Sequence, residues 1–364
     1  MNSNDKDQLE QRLSSGILGQ WYVVAKSVQV RPDRPHAVQA LGRHLVLWRD
    51  RAGRLRCLED YCPHRGARLS RGEVNGDDIS CRYHGVTLDG SGTIVRVPAM
   101  PGCALEGRKA VASYEVIEAN DGIFVYFPST ERPHAPALNP PAEFSDPSWS
   151  GILCMGRWEC SYRFVYDNFA DPMHACYLHA DSFTLAFGAK QDVLRVETRG
   201  DGFYLARVEQ KDVNLDWTHV VMDGTQLYCR LDIPYPQAAG PGGPFRIIGY
   251  ATPVDEHSCL VFFWRLRQVS GMARQCWRFL YRATLEPRHW DVLEQDREML
   301  ANIPADAHKR EMLYQHDVGV ARMRRARAQQ VKQQLAAEAA CGGDASSTLA
   351  PRSGASRERK RTVA

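Results

Sequence analysis

The sequence predicts an α+β chain of two domains, and three observations carry that reading. Short β-like runs separated by turns fill residues 19–128, the mark of a small antiparallel β domain. A proline-rich stretch follows at 129–142, with prolines at 133, 136, 140 and 141. Beyond it, strand-like runs are bracketed by two helical patterns, which indicates a second domain with an antiparallel sheet and flanking helices. A chain of 364 residues with 44% hydrophobic and 24% charged residues is long enough for two such cores.

Residues 1–18 are polar with a few leucines and read as an extension, partly helical, that packs on the second domain. In the first domain the strand-like runs are 21–24, 44–48, 55–58, 93–97 and 123–127, with a hairpin turn at Asp89-Gly90-Ser91-Gly92. In the second domain, spanning 143–336, strands are expected at 203–209, 226–232 and 259–267. Helices are expected at 162–179 and 290–335, the latter broken at Pro304. Gly240-Pro-Gly-Gly-Pro244 is a loop, because no G-x-G-x-x-G pattern follows a strand and opens a helix there. Residues 337–364 form a basic tail without periodicity, expected to be disordered.

Two loops of the first domain share a spacing. Cys62-Pro63-His64 and, sixteen residues further on, Cys81-Arg82-Tyr83-His84 each supply one thiol and one imidazole. Two thiolates on one iron and two imidazoles on the other are the ligands of a Rieske [2Fe-2S] centre. Gly66 and Gly85 follow the two motifs, allowing the backbone to approach inorganic sulfur. A Cys2His2 zinc site is the alternative, but zinc fingers pair like with like along the chain, whereas each loop here is mixed.

A second dense stretch is Asp167-Asn168-Phe169-Ala170-Asp171-Pro172-Met173-His174, followed by His179. Two histidines and a carboxylate leave positions open on iron(II). On a regular helix, residues five apart diverge by about 140°. Binding of one metal by both His174 and His179 therefore predicts either a π-type bulge or His179 just past a helix end. Asp171 and Pro172 read as N-cap and first position of that helix. The carboxylate is sought on the later helix, where Asp296 shares a face with Leu293, Met299 and Leu300; Glu294 is the alternative.

Taken together, Cys62-x-His64, Cys81-x-x-His84 and Asn168-x-x-Asp171-x-x-His174-x4-His179 resemble the catalytic (α) subunits of Rieske non-haem iron oxygenases, the aromatic ring-hydroxylating family, over residues 20–335. The resemblance implies a helix-grip (START-like) second domain holding one mononuclear Fe(2+) per subunit beside one [2Fe-2S] cluster. It gives Asp296 the role of third iron ligand and Asn168 that of a polar neighbour of the iron. It makes Asp171 the bridge from His174 to His84 of the next subunit in a head-to-tail homotrimer. Val86 departs from the tryptophan that many members carry after the second motif, which bears on the subunit contact. Ala67 and Tyr83 stand where respiratory Rieske proteins have extra cysteines, which predicts a potential near the low end of the Rieske range.

The function expected is that of a terminal oxygenase that hydroxylates or oxidatively demethylates an aromatic or related small organic substrate with O2. Because no motif for flavin or nicotinamide is present, electrons come from a separate NAD(P)H-dependent reductase, directly or through a ferredoxin. The alternatives are cis-dihydroxylation and, from another class, a non-catalytic electron carrier with a ligand-binding domain. A net charge of +3, with a basic C-terminal end, excludes a nucleic-acid footprint. The helical stretch 308–335 is read as packing on its domain, with Arg322, Arg324, Arg325 and Arg327 as an alternative docking face for the reductase. The N-terminus lacks a signal-peptide pattern and no run of eighteen apolar residues occurs. With eleven scattered cysteines, this gives a cytoplasmic expectation and no membrane association.

Overall fold

The computed structural model describes residues 3–182, 185, 190–208, 215–233 and 242–341. The first domain holds β1 (Gln20–Lys26), β2 (His36–Ala40), β3 (Arg43–Arg49), β4 (Leu55–Glu59), β5 (Glu73–Asn75), β6 (Asp78–Ser80), β7 (Thr87–Leu88), β8 (Ile94–Arg96), β9 (Val116–Ala119) and β10 (Gly122–Phe127). They form three small antiparallel sheets, ordered β1-β10-β9, β2-β3-β4 and β5-β6-β7-β8. The Asp89–Gly92 turn joins β7 to β8, and the Asp89 carboxylate accepts from the N–H groups of Ser91 and Thr93.

The second domain is a seven-stranded antiparallel sheet. Its strands are β11 (Trp149–Trp158), β12 (Leu194–Arg199), β13 (Gly202–Arg207), β14 (Trp217–Val221), β15 (Tyr228–Ile233), β16 (Phe245–Pro253) and β17 (Cys259–Gln268), in spatial order β11-β17-β16-β15-β14-β13-β12. Both faces are covered, so successive residues of β17 enter different cores. Phe262, Trp264 and Leu266 pack with Trp21, Phe124 and Tyr126 of the first domain. Val261 and Phe263 face the helices on the other side. The alternation also buries Arg265 and Arg267 in that helical side, each 1% exposed.

The helices are α1 (Ser3–Ser15), α2 (Tyr162–Phe169), α3 (Ala175–Leu178), α4 (Gly271–Leu280), α5 (Glu286–Ala301) and α6 (Val318–Cys341). Leu13 and Ile17 of the N-terminal segment pack on Val331 of α6, and Arg12 forks Glu338.

Several expectations are corrected. The helix sought over 162–179 is two short helices, because α2 ends at Ala170 and a turn precedes α3. Asp171 is not the helix cap: its carboxylate accepts from the Met173 N–H in that turn, and His174 takes the cap position. The later helix begins at Gly271 and runs through a π-turn, Tyr281–Leu285, into α5. Pro287 lacks an N–H and its ring crowds the carbonyl four residues back, which the π-turn accommodates. After α5 the chain makes two 3-10 turns, and α6 starts at Val318, ten residues later than the stretch expected from 308. Residues 337–341, placed in the tail by sequence, are the last turn of α6; 342–364 lie outside the described residues. The Gly240–Pro244 loop lies partly outside them as well.

Candidate metal centres

The two Cys-His loops of the first domain are built alike. The Cys62 N–H donates to the Ala67 carbonyl and the Gly66 N–H donates back to the Cys62 carbonyl; Cys81 with Val86, and Gly85 with Cys81, repeat the pattern. Each turn closes on a glycine with positive φ, 76° at Gly66 and 70° at Gly85, a conformation that disfavours side chains. At Gly85 a Cβ would also meet Pro98 Cγ at 2.9 Å.

The loops bring their four ligands together with opposite exposures. Cys62 and Cys81 are each 2% exposed, whereas His64 and His84 lie at the surface with ring centroids 4.6 Å apart. Burial, with Cys81 beside it, pushes the Cys62 thiol up to about 11, against the backbone N–H groups of His64 and Arg65 that favour the thiolate. Neighbouring buried sulfurs on one side and paired imidazoles on the other fit a [2Fe-2S] group, whose positive irons would offset the cost of holding both thiolates. Tyr83 lies against His84 at 3.9 Å between ring centroids, and the Arg65 guanidinium sits over Tyr83. Val86 is buried in the core with Trp48 and Leu69, so the residue expected to bear on a subunit contact packs inside its own domain.

The second centre gathers His174, His179 and Asp296, with one ligand atom of each within 4.8 Å of the others. His179 occupies the C-cap of α3, just beyond the helix end, so the five-residue separation no longer forces the rings apart. Asp296 Oδ1 lies 3.6 Å from His174 Nε2 and 3.3 Å from His179 Nε2. The opposite ring nitrogens are engaged elsewhere. His174 Nδ1 is 2.5 Å from the Asp171 carbonyl, and His179 Nδ1 is 2.9 Å from Gln295 Oε1. Both contacts need a proton on Nδ1 and therefore leave the Nε2 lone pairs facing Asp296, the tautomer a metal requires. This donor set fits iron(II), with coordination positions left open.

Burial acts to lower the His179 pKa, but the hydrogen bond and charge of Asp296 outweigh it, and the metal-free ring is held above its ordinary value. Asn168 Nδ2 donates to Asp296 Oδ1 at 3.1 Å. Glu294, the alternative ligand, points to solvent and pairs with Arg297. The Asp171 side chain is 30% exposed and its Oδ2 stands 3.9 Å from His174 Nδ1. Gln295 has no signal in the sequence beyond its adjacency to Asp296, because an amide is not a residue type that marks a metal centre.

Asp171 and His174 open onto a cavity of about 630 Å³ between α2, α5 and α6, walled also by Asp317, Met299 and Leu313. A substrate pocket lined by residues 183–250 is the expectation from sequence, and that segment lies partly outside the described residues. Two arginines proposed as a docking face turn inward: Arg324 pairs with Asp167 and Glu311, and Arg327 is buried against Tyr162. Among the described residues no helix is long and apolar enough to cross a membrane.

Comparison with known proteins places both halves. Residues 20–115 match the family described as Rieske [2Fe-2S] domain, and 158–333 match the vanillate O-demethylase oxygenase C-terminal domain. A vanillate O-demethylase oxygenase subunit from Pseudomonas sp. is 35% identical over 184 residues, 50% of this chain and 49% of that protein. The oxygenase component of a 3-ketosteroid-9-alpha-monooxygenase from Rhodococcus rhodochrous is 27% identical over 240 residues, 58% of this chain and 61% of that protein. The chain thus spans about half the length of the first relative and 61% of the second. Among solved structures, dicamba monooxygenase superposes with a TM-score of 0.70 at 20% identity, over 88% of this chain and 99% of that one. The terminal oxygenase of carbazole 1,9a-dioxygenase from Nocardioides aromaticivorans gives 0.69 at 19% identity, over 90% and 97%. Over the cradles just described, this chain therefore joins a Rieske [2Fe-2S] domain to a C-terminal domain of the vanillate O-demethylase oxygenase family.

Proposed function

We propose that this chain is the terminal oxygenase of a multicomponent system that hydroxylates or oxidatively demethylates an aromatic or related small organic substrate. The convergence of His174 Nε2, His179 Nε2 and Asp296 Oδ1, on a chain that also carries the Cys62/His64/Cys81/His84 cradle, carries the reading. When bound, the [2Fe-2S] group supplies single electrons and the mononuclear iron supplies dioxygen activation. His174 and His179 present neutral Nε2 atoms because the Asp171 carbonyl and Gln295 hold their Nδ1 protons. Asn168 orients the Asp296 carboxylate through Oδ1.

Electrons enter from an NAD(P)H-dependent reductase, directly or through a ferredoxin. A homotrimer of head-to-tail copies completes the path, with the His84 tip of one copy facing Asp171 of the next. Complementary surfaces support it. The tip exposes Tyr83, 58% accessible, beside Arg65 and Arg82, and the cavity over Asp171 is walled by Asp317 and by Glu311, the latter paired with Arg324. The names of relatives favour monooxygenation, with vanillate O-demethylase and 3-ketosteroid-9-alpha-monooxygenase among them. The dioxygenase neighbour keeps cis-dihydroxylation as the second reading, separated by counting labelled oxygen atoms per product. Eleven cysteines, two of them in the cluster cradle and none in a disulfide, support a reducing compartment such as the cytoplasm, although the relative named Protein TIC 55 in Arabidopsis thaliana is chloroplastic.

Metal analysis should return about three irons and two acid-labile sulfides per chain. Asp171→Asn should keep all of them while reductase-dependent turnover falls by orders of magnitude. A lone metal centre, or full turnover in Asp171→Asn, would remove the assignment and the bridging role respectively.

A further inference from the structure

We propose that Arg265 anchors an anionic group of the substrate, a carboxylate or its equivalent, inside the second domain; this rests on the oxygenase reading above. Arg265 lies on β17 between Ile152 of β11 and Ile247 of β16, and its residue is 1% exposed. One nitrogen, Nη1, donates to the Tyr281 hydroxyl at 2.8 Å. Nη2 is buried with no hydrogen-bond partner, and no carboxylate among the described residues stands within ion-pairing distance of this guanidinium. A buried cation is ordinarily paired, so an incomplete shell of this kind marks the place of an absent anion.

A second orphan lies close by. Trp277, fully buried, has an indole N–H without a partner, and its ring centroid is 5.2 Å from that of Tyr281. The unused groups at Arg265 and Trp277 are both donors, and an ionised carboxylate is acceptor-only. Tyr281 accepts from Arg265 and meets His289 Nδ1 at 3.1 Å. Burial first, and then the Arg265 charge, push the His289 pKa down to about 3, so the ring stays neutral and available as the acceptor for Tyr281. The Tyr281 position is set by the π-turn Tyr281–Leu285, an irregularity common at functional sites.

The surroundings are aromatic. The Arg265 guanidinium stacks over Trp290 at 5.0 Å, with Phe245 packed against both Tyr281 and His289. Trp290 and Asp296 lie on α5 six residues apart, a rise of about 9 Å along the helix axis. A benzoate-sized ligand held at Arg265 by its anionic end would extend part of that interval along α5, with its other end towards His174, His179 and Asp296.

Calorimetric titration of the oxidised holoenzyme with benzoate and with benzamide, a neutral isostere, tests the anchor without turnover. Charge-assisted bonds predict a preference for benzoate of about 10- to 100-fold. Equal affinities in the unmodified protein would overturn the proposal, a result that needs no variant to fold. Arg265→Met should erase the preference and Arg265→Lys should keep part of it. A preference undiminished in Arg265→Met would mean that the carboxylate binds elsewhere, for example at the iron, and would also overturn it. Reductase-coupled oxygen uptake with neutral aromatics, measured on the same preparation, reads the oxygenase assignment by itself: uptake without anion preference removes the anchor alone.

Discussion

Gln295 shows how much a single neutral side chain contributes to a metal centre. Its carbonyl oxygen fixes the Nδ1–H tautomer of His179, as the Asp171 carbonyl does for His174. Partners of this kind are worth about 10- to 100-fold in metal affinity. Gln295→Ala should therefore weaken iron binding by about that factor in chelator competition while the visible spectrum of the cluster is unchanged. Asn168 acts on the third ligand in the same way, through Asp296 Oδ1. The histidines themselves were legible as a pair at a suggestive spacing. Their supporting partners were not, because a backbone carbonyl and an amide have no distinctive residue type.

At the scale of elements, the break between α2 and α3 does the positioning. A continuous helix over 162–179 would have splayed the two rings, whereas the turn at 171–174 and the cap position of His179 bring both onto Asp296. Gly319, at the start of α6, holds this break from behind. A Cβ there would stand 2.8 Å from Leu205 Cδ2 and 3.0 Å from the Ala170 carbonyl, at the end of α2. Replacing a helical glycine usually stabilises a helix. Here Gly319→Val should instead cost about 1–3 kcal/mol through overpacking, read as a lower midpoint of denaturant unfolding. The cluster loops follow a different rule, since each is a local turn closed on its own glycine. That is why they could be read from spacing alone, while the turn at 171–174 depends on α6 and α5 packed around it.

For the whole molecule, the proposed use of the two centres between copies has a direct test. The imidazoles of the cluster loops face solvent at the tip of the first domain, and Asp171 faces solvent in the cavity between α2, α5 and α6. If each active site draws on two chains, neither His84→Ala nor Asp171→Asn homo-oligomers should turn over. Co-assembled mixtures of the two should then regain measurable activity, because some interfaces pair an intact tip with an intact Asp171. Mixtures as inactive as their parents would show that the path runs within one chain. The sheet of the second domain is buried on both faces, with its outer side packed on β1 and β10 through Trp21, Phe124, Tyr126 and Trp264.

By itself the sequence determined the two-domain α+β plan, the mixed Cys-His loops and the clustering of Asp171, His174 and His179, since these are carried by residue type and short-range spacing. Only the tertiary structure decided which later carboxylate meets the histidines. Asp296 and Glu294 are two residues apart, and the choice is made by which side of α5 lies against α2. It likewise decided that Arg265 is an interior cation. On a strand reading Trp264-Arg265-Leu266-Arg267, alternation would send arginine to water, but the helices α4 and α5 cover that face as well. Local pattern records the period of a side chain; what stands opposite it is a long-range contact, and no short window of sequence contains that.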